Sequence, residues 1–560
     1  MRRDKFGGFK FIYPFMLLGC LFGMYTLTKF YGSNDFYFLY NRIHQLYTCL
    51  INGASIHYYY NDLIGVGYGS SFFYGTLGLL PFIPFYMVGI KCLYISYLTI
   101  ALYVNYKGSM LLFSDYVKEA RLCALLYSFS TLMIEFFSSL DIWSNLLNIG
   151  ISWFLLHFCV KYFRDKIDKY RYLMCLTYFV MLNTHIVSSV IVVPFILYLF
   201  IIYFDKSRIK NYIKTGILCL LTCLSTLSII LWQISICDNT WKINRDLFEY
   251  AKSGSRGSAF PSLVPIFGYI GNSLFNILSG YSFVNFGIFC CLVYLFITRV
   301  RKYISNKEKV ALVSCCILGV FSYFVFWDFI IQYVNIPIQF SVRFAPYILV
   351  CVLIIIFKHV DEITIKKSKD FKVALIMLIL CIPDIFLFSL MTNVVEKDIA
   401  DGNLMQRVAN EGYSTITSEE DLLTVIRMQT ANGEYLNSSF ERYTEVWNKY
   451  AYGVIDQYDI LYEFEQSDNG VIKVHIPEHN ENLVLHFPRL YYKGFNLVGN
   501  DITFDTEMGE SQFIKADIGT YSGDLILYWD SPTWLTLLDL LLVIMLIYLL
   551  LKIIWGDVLD

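Results

Sequence analysis

Long apolar stretches separated by short polar segments fill the chain as far as residue 391, and one more stretch follows near the C-terminal end. A helix needs about 20 consecutive apolar residues to cross a bilayer. The pattern therefore predicts about eleven or twelve membrane-spanning helices. The stretches cover residues 11–28, 71–106, 122–138, 142–160, 173–204, 215–236, 275–298, 310–327, 336–357, 373–391 and 534–552.

Residues 392–533 follow a different pattern. After mixed helical patterning as far as Ala451, short runs alternate apolar and polar positions, as in GVIKVHI, ENLVLHF and GDLILYW. Alternation with a period of two, bounded by Gly, Asn and Asp, is typical of β-strands. The predicted fold is a polytopic α-helical membrane protein with a β-rich C-terminal extracytoplasmic domain. Its predicted parts are a transmembrane domain at 1–391 with a first outer loop at 29–70, a mixed α/β, β-rich domain at 392–533, and a final transmembrane helix with a short cytoplasmic tail at 534–560.

The distribution of charge predicts the orientation. Basic clusters at 161–171, 206–214, 299–309 and 358–372 are typical of cytoplasmic loops. Residues 392–533 contain 24 of the 46 acidic residues and nine basic ones, as expected of an outer segment. The N-terminal MRRDKFGGFKF precedes an apolar stretch without a small-residue cleavage site, so we expect an uncleaved first span and a cytoplasmic N-terminus.

Composition supports the membrane class. Hydrophobic residues make up 56% of the 560 and charged residues 16%, and the mean hydropathy is +0.52, far from the balance of a soluble globular chain. Most of the 15 cysteines lie inside apolar runs, where a thiol acts as a small hydrophobic group, and none lies at 392–533. An outward domain without cysteine favours a bacterial plasma membrane over the endoplasmic reticulum lumen.

Two residues after the first apolar stretch are candidates for chemistry. Asp35 can act as a general base on an acceptor hydroxyl, or it is an interfacial carboxylate on a water-facing turn. Arg42 lies seven residues later, two helical turns on and on the same face if the segment is helical. It can hold a phosphate with its fork of donors, or extend to lipid headgroups.

Further candidates lie near predicted outer helix ends. Gln339 and Arg343 are four residues apart, hence on one helical face, where they hold a lipid phosphate or bond within the bundle. His185 sits at a predicted turn between two short spans, either as a phosphate or sugar ligand or as a structural histidine. HExxH, CxxC and DxD motifs are absent, so no cofactor is predicted, although a divalent metal stays open.

The ordered set of motifs resembles the YfhO-like bacterial membrane proteins, also described as 6-pyruvoyl-tetrahydropterin-synthase-related, within the GT-C class of glycosyltransferases. DFYFLYNR at 35–42 is similar to that family's D-x-x-F-H-x-x-R, with Leu39 at the place of the histidine. IQFSVRF at 338–344 is similar to its QFPWR, with Ser341 and Val342 at the places of Pro and Trp. The other matching elements are GYGSSFFYG at 67–75, NTHI at 183–186, NGEYLN at 432–437 and FPRLYYKGF at 487–495.

The resemblance implies a role for each candidate. Asp35 would be the general base and Asp141 a second acidic residue near the acceptor. The implied holders of the donor phosphate are Arg42, Gln339, Arg343 and His185, and the implied acceptor-binding residues are Glu434 and Tyr435.

These expectations describe a glycosyltransferase of the bacterial plasma membrane. It would move one sugar from an undecaprenyl-phosphate carrier to an envelope glycan acceptor, namely a cell-envelope polysaccharide, teichoic acid or lipid-linked glycan, on the outer face. The expected partners are that lipid-linked donor, the acceptor and the lipid bilayer, with no nucleic acid. Two alternatives stay open: a noncatalytic scaffold of an envelope-polysaccharide complex, and a transporter or flippase for a lipid-linked sugar. The absence of an obvious inverted repeat argues against the transporter.

Overall fold

A computed structural model of the protein combines a helical part with a β-sandwich. The residues that it describes are 34–60, 65–67, 69, 76, 78–118, 120–128, 143–236, 304–306, 308–309, 345–360, 445–531 and 533–559. The helices in these ranges are α1 (Asn34–Ile51), α2 (Ile83–Val88), α3 (Ile90–Ser114), α4 (Ala120–Ser128), α5 (Trp143–Phe163), α6 (Tyr170–Leu182), α7 (Ile186–Ile202), α8 (Ile209–Ile236), α9 (Ala345–Val360), α10 (Glu445–Tyr450) and α11 (Thr533–Leu559).

Helix α5 lies at the centre of the described helices and packs against α1, α3, α6 and α7. Two glycines bring the backbones of α3 and α5 together. A Cβ atom at Gly108 would lie 2.7 Å from the carbonyl oxygen of Gly150 and 2.9 Å from the ring of Phe154. On α5, the Trp153 indole is buried and donates a 3.1 Å hydrogen bond to the Tyr127 hydroxyl of α4. Close backbone approach therefore fixes the middle of the bundle.

The prediction of eleven or twelve membrane-spanning helices is wrong for the residues that the structure describes. In those ranges one helical stretch, Thr533–Trp555 of α11, is long and apolar enough to cross a membrane. A second crossing is obtained only by joining Ser188–Ile202 to Lys206–Leu224, which are bent by 115° relative to each other. The described part of the chain is therefore not a many-span helical membrane protein.

The difference has a physical cause in how the apolar stretches fold. The stretch 71–106 is interrupted at Gly89, whose φ of 134° ends α2 before α3 begins. The stretch 173–204 divides into α6 and α7, of 13 and 17 residues, each shorter than the roughly 20 residues that a crossing needs. Helices α3 and α5 also bury the polar side chains of Asn105 and Asn148. Much of the apolar surface therefore packs against other helices.

The C-terminal part contains two antiparallel five-stranded sheets. Their strand orders are β2-β1-β5-β9-β8 and β3-β4-β10-β6-β7. The three runs that the sequence analysis interprets as strands form β4, β5 and β10. The strands are β1 (Val454–Asp456), β2 (Leu461–Tyr462), β3 (Phe464–Gln466), β4 (Ile472–Ile476), β5 (Leu483–Leu490), β6 (Phe495–Gly499), β7 (Ile502–Phe504), β8 (Thr506–Met508), β9 (Phe513–Gly519) and β10 (Gly523–Trp529).

Alternating burial along the strands places the core of the sandwich between its two sheets. In β4 every second side chain is buried, and Leu485, Ile514, Leu525 and Leu527 are at most 1% exposed. This alternation is the signature of strands with one face on a core and one in solvent. The sandwich begins after α10 and leads directly into α11.

Helix α11 follows the sandwich in the chain and packs along the helical bundle. Near its C-terminal end, Leu549 packs with Tyr172 and Cys175, in the first half of α6. Near its N-terminal end, Asp539 contacts His57, in the segment that follows α1. The basic residues before α6 and the sandwich therefore lie at opposite ends of the described bundle.

A buried carboxylate organises the basic end. The Asp115 side chain is 1% exposed and forms an ion pair with Lys161 at 2.8 Å, while its other oxygen lies 2.6 Å from Nδ1 of His157. The guanidinium of Arg164 donates to the backbone carbonyl of Asp115 at 2.9 Å. Because a buried carboxylate is costly without partners, these contacts fix the end of α3 against α5.

We predict that Gly108→Ala destabilises the protein by about 1–3 kcal/mol, because the added methyl group overpacks the α3–α5 contact. Gly216→Ala on α8 is the matched control, since a Cβ at Gly216 meets nothing within 4 Å. The control should stabilise by about 0.5–1 kcal/mol through helix propensity. Thermal unfolding of the purified full chain measures both, and equal melting temperatures for the two variants would contradict the close packing.

Candidate functional site

The first helix contains two of the candidates from the sequence. Asp35 occupies the second position of α1, and Arg42 lies seven residues later with 2% of its surface exposed. Positions 35 and 42 are two helical turns apart, or about 10 Å along the axis. The remaining candidates, apart from His185, lie outside the described residues, namely Asp141, Gln339, Arg343, Glu434 and Tyr435.

Helix α1 buries polar side chains next to Arg42. Asn41 and Gln45 are fully buried, and Gln45 Nε2 donates to Asn41 Oδ1 at 3.3 Å. On the neighbouring turn, His44 Nδ1 lies 2.5 Å from the Tyr86 hydroxyl of α2. A helix that only filled a core would carry apolar residues at such positions. This face of α1 is therefore built for polar interactions.

The charge of Arg42 reaches helix α3. Burial raises the pKa of the Tyr97 hydroxyl, and the nearby positive charge of Arg42 opposes that rise. The Tyr97 ring packs on Phe82 with centroids 4.9 Å apart. The charge of Arg42 on α1 therefore acts on the Tyr97 hydroxyl of α3.

His185 caps a helix. It is 4% exposed at the N-cap of α7, where its Nδ1 accepts from the backbone N–H of Ser188 at 3.1 Å. Its carbonyl oxygen accepts from the Asn148 amide of α5 at 2.7 Å. Nδ1 therefore caps the start of α7, as expected of a structural histidine. A donor-phosphate role for His185 stays a prediction.

The turn at His185 also contacts the segment after α1. The backbone N–H of Gly78 donates to the carbonyl of Asn183 at 3.3 Å. A Cβ atom at Gly78 would lie 2.7 Å from Oγ1 of Thr184, so only glycine fits this approach without displacement. The α6–α7 turn and the chain leading into α2 therefore lie together at the sandwich end of the bundle.

An arginine in the sandwich joins it to the helical part. Arg489 of β5 is 1% exposed and donates to the carbonyl of Gly65, to that of Pro488 at 3.0 Å and to that of Gly470 at 3.4 Å. The backbone N–H of Leu490 donates to Val66 at 3.0 Å. Burial lowers the pKa of this guanidinium, so the carbonyl oxygens must offset its desolvation.

Residues 52–60 and 65–67, which we name the latch segment, make further contacts with the sandwich. The Tyr60 hydroxyl donates to the carbonyl of Asp468. The Tyr58 ring packs among three aromatic side chains, with centroid distances of 6.0, 5.1 and 6.0 Å to Tyr492, Phe495 and Trp529. The latch segment is thus held by a buried charge, hydrogen bonds and an aromatic cluster.

The latch segment also binds helix α11. His57 Nε2 lies 2.8 Å from Oδ2 of Asp539, and the two side chains are 12% and 38% exposed. Asp539 is a carboxylate among apolar residues in the first half of α11. Its role here is to pair with a histidine 482 positions away in the chain. The pair ties the start of α11 to the segment that follows α1.

Sequence reasoning missed His57 and Arg489. Arg489 lies within the FPRLYYKGF element that carries part of the resemblance, but one arginine among alternating strand residues gives no sign of burial. Among the described residues, no group of three or more His, Cys, Asp or Glu side chains could hold a metal ion.

Comparison with protein-family models, with curated proteins and with solved structures finds no match to this chain. The resemblance drawn from the motifs therefore stays a prediction. The arguments on function rest on the geometry of the described residues.

We predict that Arg489→Met releases the latch segment, because the carbonyls of Gly65 and Gly470 lose their donor and the sandwich loses a buried anchor. Hydrogen exchange of the amides in the latch segment should accelerate at least tenfold, about 1.4 kcal/mol of local stability. Lys493→Met, at an exposed position just beyond β5, is the matched control that removes one positive charge. Equal exchange rates in the two variants would contradict the latch.

Proposed function

We propose that the protein is a membrane-bound glycosyltransferase that moves one sugar from a polyprenyl-phosphate carrier to an envelope glycan, at the end of the bundle that carries the sandwich. The observation that carries the proposal is that Asp35 and the buried guanidinium of Arg42 belong to the same helix and lie seven residues, or two turns, apart. The same end is closed by the latch segment and the sandwich.

The spacing suits the reaction. In the transfer, the acceptor oxygen bonds to the anomeric carbon while the bond from that carbon to the phosphate oxygen breaks. The acceptor proton passes to Asp35, and the negative charge stays on the departing lipid phosphate. Base and phosphate ligand thus act on opposite sides of the sugar, and a separation of about 10 Å leaves room for one ring between them.

Arg42 serves the leaving group in this scheme. A guanidinium donates two parallel hydrogen bonds to a phosphate and stabilises its charge as the bond breaks. The hydroxyl of Tyr97 supplies a neutral donor on the same side. Asp141, Gln339, Arg343 and His185 keep the roles that the resemblance implies for them, as part of the proposal, with Glu434 and Tyr435 at the acceptor.

The asymmetry of the bundle supports a location. Basic residues gather at one end and the acidic sandwich at the other, the distribution expected of a protein with its basic end in the cytoplasm. The apolar helix Thr533–Trp555, of which 11% is buried, supplies an anchor in lipid. Near the sandwich end of α11, Leu537 and Leu540 are 61% and 56% exposed. A lipid-linked donor would reach the site from this apolar flank.

The test compares envelope glycans in cells that lack the native protein and produce one variant each. Asp35→Asn removes the base and should lower transfer by about 10²–10⁴-fold, and Arg42→Ala should lower it by about 10²–10³-fold. Asp505→Asn is the matched control at an exposed position of the sandwich. Glycan analysis should show the loss of one sugar in both site variants and wild-type glycans in the control.

Membrane abundance of each variant is measured in parallel, so that loss of protein is not taken for loss of transfer. If Asp35→Asn and Arg42→Ala, present at normal levels, both restore the complete glycan, the transferase proposal is rejected and the noncatalytic scaffold gains support.

A further inference from the structure

The turn between β1 and β2 is built around a buried carboxylate. Asp456 is 1% exposed, and its Oδ1 accepts from the backbone N–H groups of Tyr458 and Ile460, both at 2.9 Å. Its Oδ2 accepts from the Tyr462 hydroxyl at 2.8 Å. Three hydrogen bonds to one carboxylate hold the turn in a single shape. A rigid turn presents its outer side chains at fixed positions.

Those outer side chains are large and apolar. Tyr452, Tyr458, Ile460 and Leu461 are 64%, 57%, 54% and 64% exposed. Exposed side chains next to a turn are usually small or polar, because the hydration of exposed apolar side chains is unfavourable. Four such residues, rigidly held within ten positions of the chain, indicate a surface shaped for a ligand.

A shallow cavity opens beside this turn. It measures about 420 Å³ and is lined by Lys449, Tyr452, Gly453, Ile455, Asp459 and Leu461. This volume lies within the range of about 300–1,000 Å³ that is usual for small-ligand sites. A Cβ atom at Gly453 would lie 2.1 Å from Cδ1 of Leu461, so a larger residue at this position would displace the Leu461 side chain that lines the cavity.

Two charged groups meet at the wall of the cavity. The Lys449 ammonium forms an ion pair with Asp459, and both side chains are more than a third exposed. Asp459 adopts φ of 65°, a conformation that Asp and Asn tolerate better than most residues. The pair offers a donor group and an acceptor group side by side, and the Tyr452 side chain lines the same cavity.

This combination matches a sugar ring. Pyranoses present a C–H face that packs on an aromatic ring and a rim of hydroxyls that both donate and accept hydrogen bonds. The charge around the site selects against anionic ligands, because the described residues 445–531 contain 15 acidic residues and five basic ones. A phosphate-rich polymer or a nucleic acid would be repelled.

We propose that the cavity beside the β1–β2 turn is a binding site for a neutral oligosaccharide, with Tyr452 stacked on one ring and the Lys449–Asp459 pair bonded to its hydroxyls. The identification of this ligand as the acceptor glycan rests on the proposed function. In that function the site would hold the acceptor while Asp35 acts on its end. Binding itself requires no transfer.

The test uses saturation-transfer NMR on the full chain in lipid nanodiscs, with chitotriose and maltotriose as neutral probes and a glycerol-phosphate oligomer as the anionic probe. We expect transfer to the ring C–H protons of at least one neutral probe and none to the anionic one. Tyr452→Ala should weaken binding at least tenfold, and Asp459→Asn, which keeps the backbone conformation, at least threefold. Tyr528→Ala, on the other sheet, is the matched control and should bind as wild type does.

Each result decides the proposal. Absence of transfer to both neutral probes, preference for the anionic oligomer, or unchanged binding in Tyr452→Ala would overturn it. Binding that depends on Tyr452 supports the site even if sugar transfer is never detected, in which case the transferase proposal alone fails. Sugar transfer by a wild-type chain that binds neither neutral probe rejects the site and leaves the transferase standing.

Discussion

The buried guanidinium of Arg489 joins parts of the chain that are 424 positions apart. A charge inside a protein must be compensated by hydrogen-bond acceptors, and here the described acceptors are backbone carbonyls on both sides of the contact between the sandwich and the latch segment. Loss of the Gly65 carbonyl while the guanidinium stays buried would leave the charge short of acceptors, which costs more than breaking one exposed hydrogen bond. The contacts of Tyr58 and Tyr60 with the sandwich further stabilise this connection.

The position of the latch segment determines what surrounds helix α1. Through Tyr58 and Tyr60 it binds the sandwich, and through His57 it binds Asp539 of α11. Helix α1 therefore leads, after Ile51, into a segment that contacts both the sandwich and α11.

Local patterns predicted local structure well. The alternating runs form β4, β5 and β10, and the turn predicted at His185 separates α6 from α7. The predicted number of membrane crossings was wrong because an apolar stretch in the sequence does not show whether lipid or another helix covers it. Gly89 divides one such run, and polar residues such as Asn148 reveal that others face protein.

Contacts between residues far apart in the chain could not be predicted from the sequence. Nothing local marks His57 as the partner of Asp539, or Arg489 as a buried residue, because each pairing depends on how the sandwich meets the bundle. Arg42 could be named as a candidate from its spacing to Asp35, whereas its burial required the fold. Candidates defined by spacing along one helix could be named from the sequence, and residues that join separate parts of the chain could not.

The most direct measurement is photo-crosslinking of the full chain in nanodiscs by a short-chain polyprenyl phosphate that carries a diazirine next to its phosphate, read by peptide mass spectrometry. The account predicts labelled peptides from α1 and the latch segment, with labelling reduced by Arg42→Ala. Labelling confined to the basic end, at 161–171 and 206–214, would contradict it, because the phosphate would then bind at the opposite end of the bundle from the proposed base.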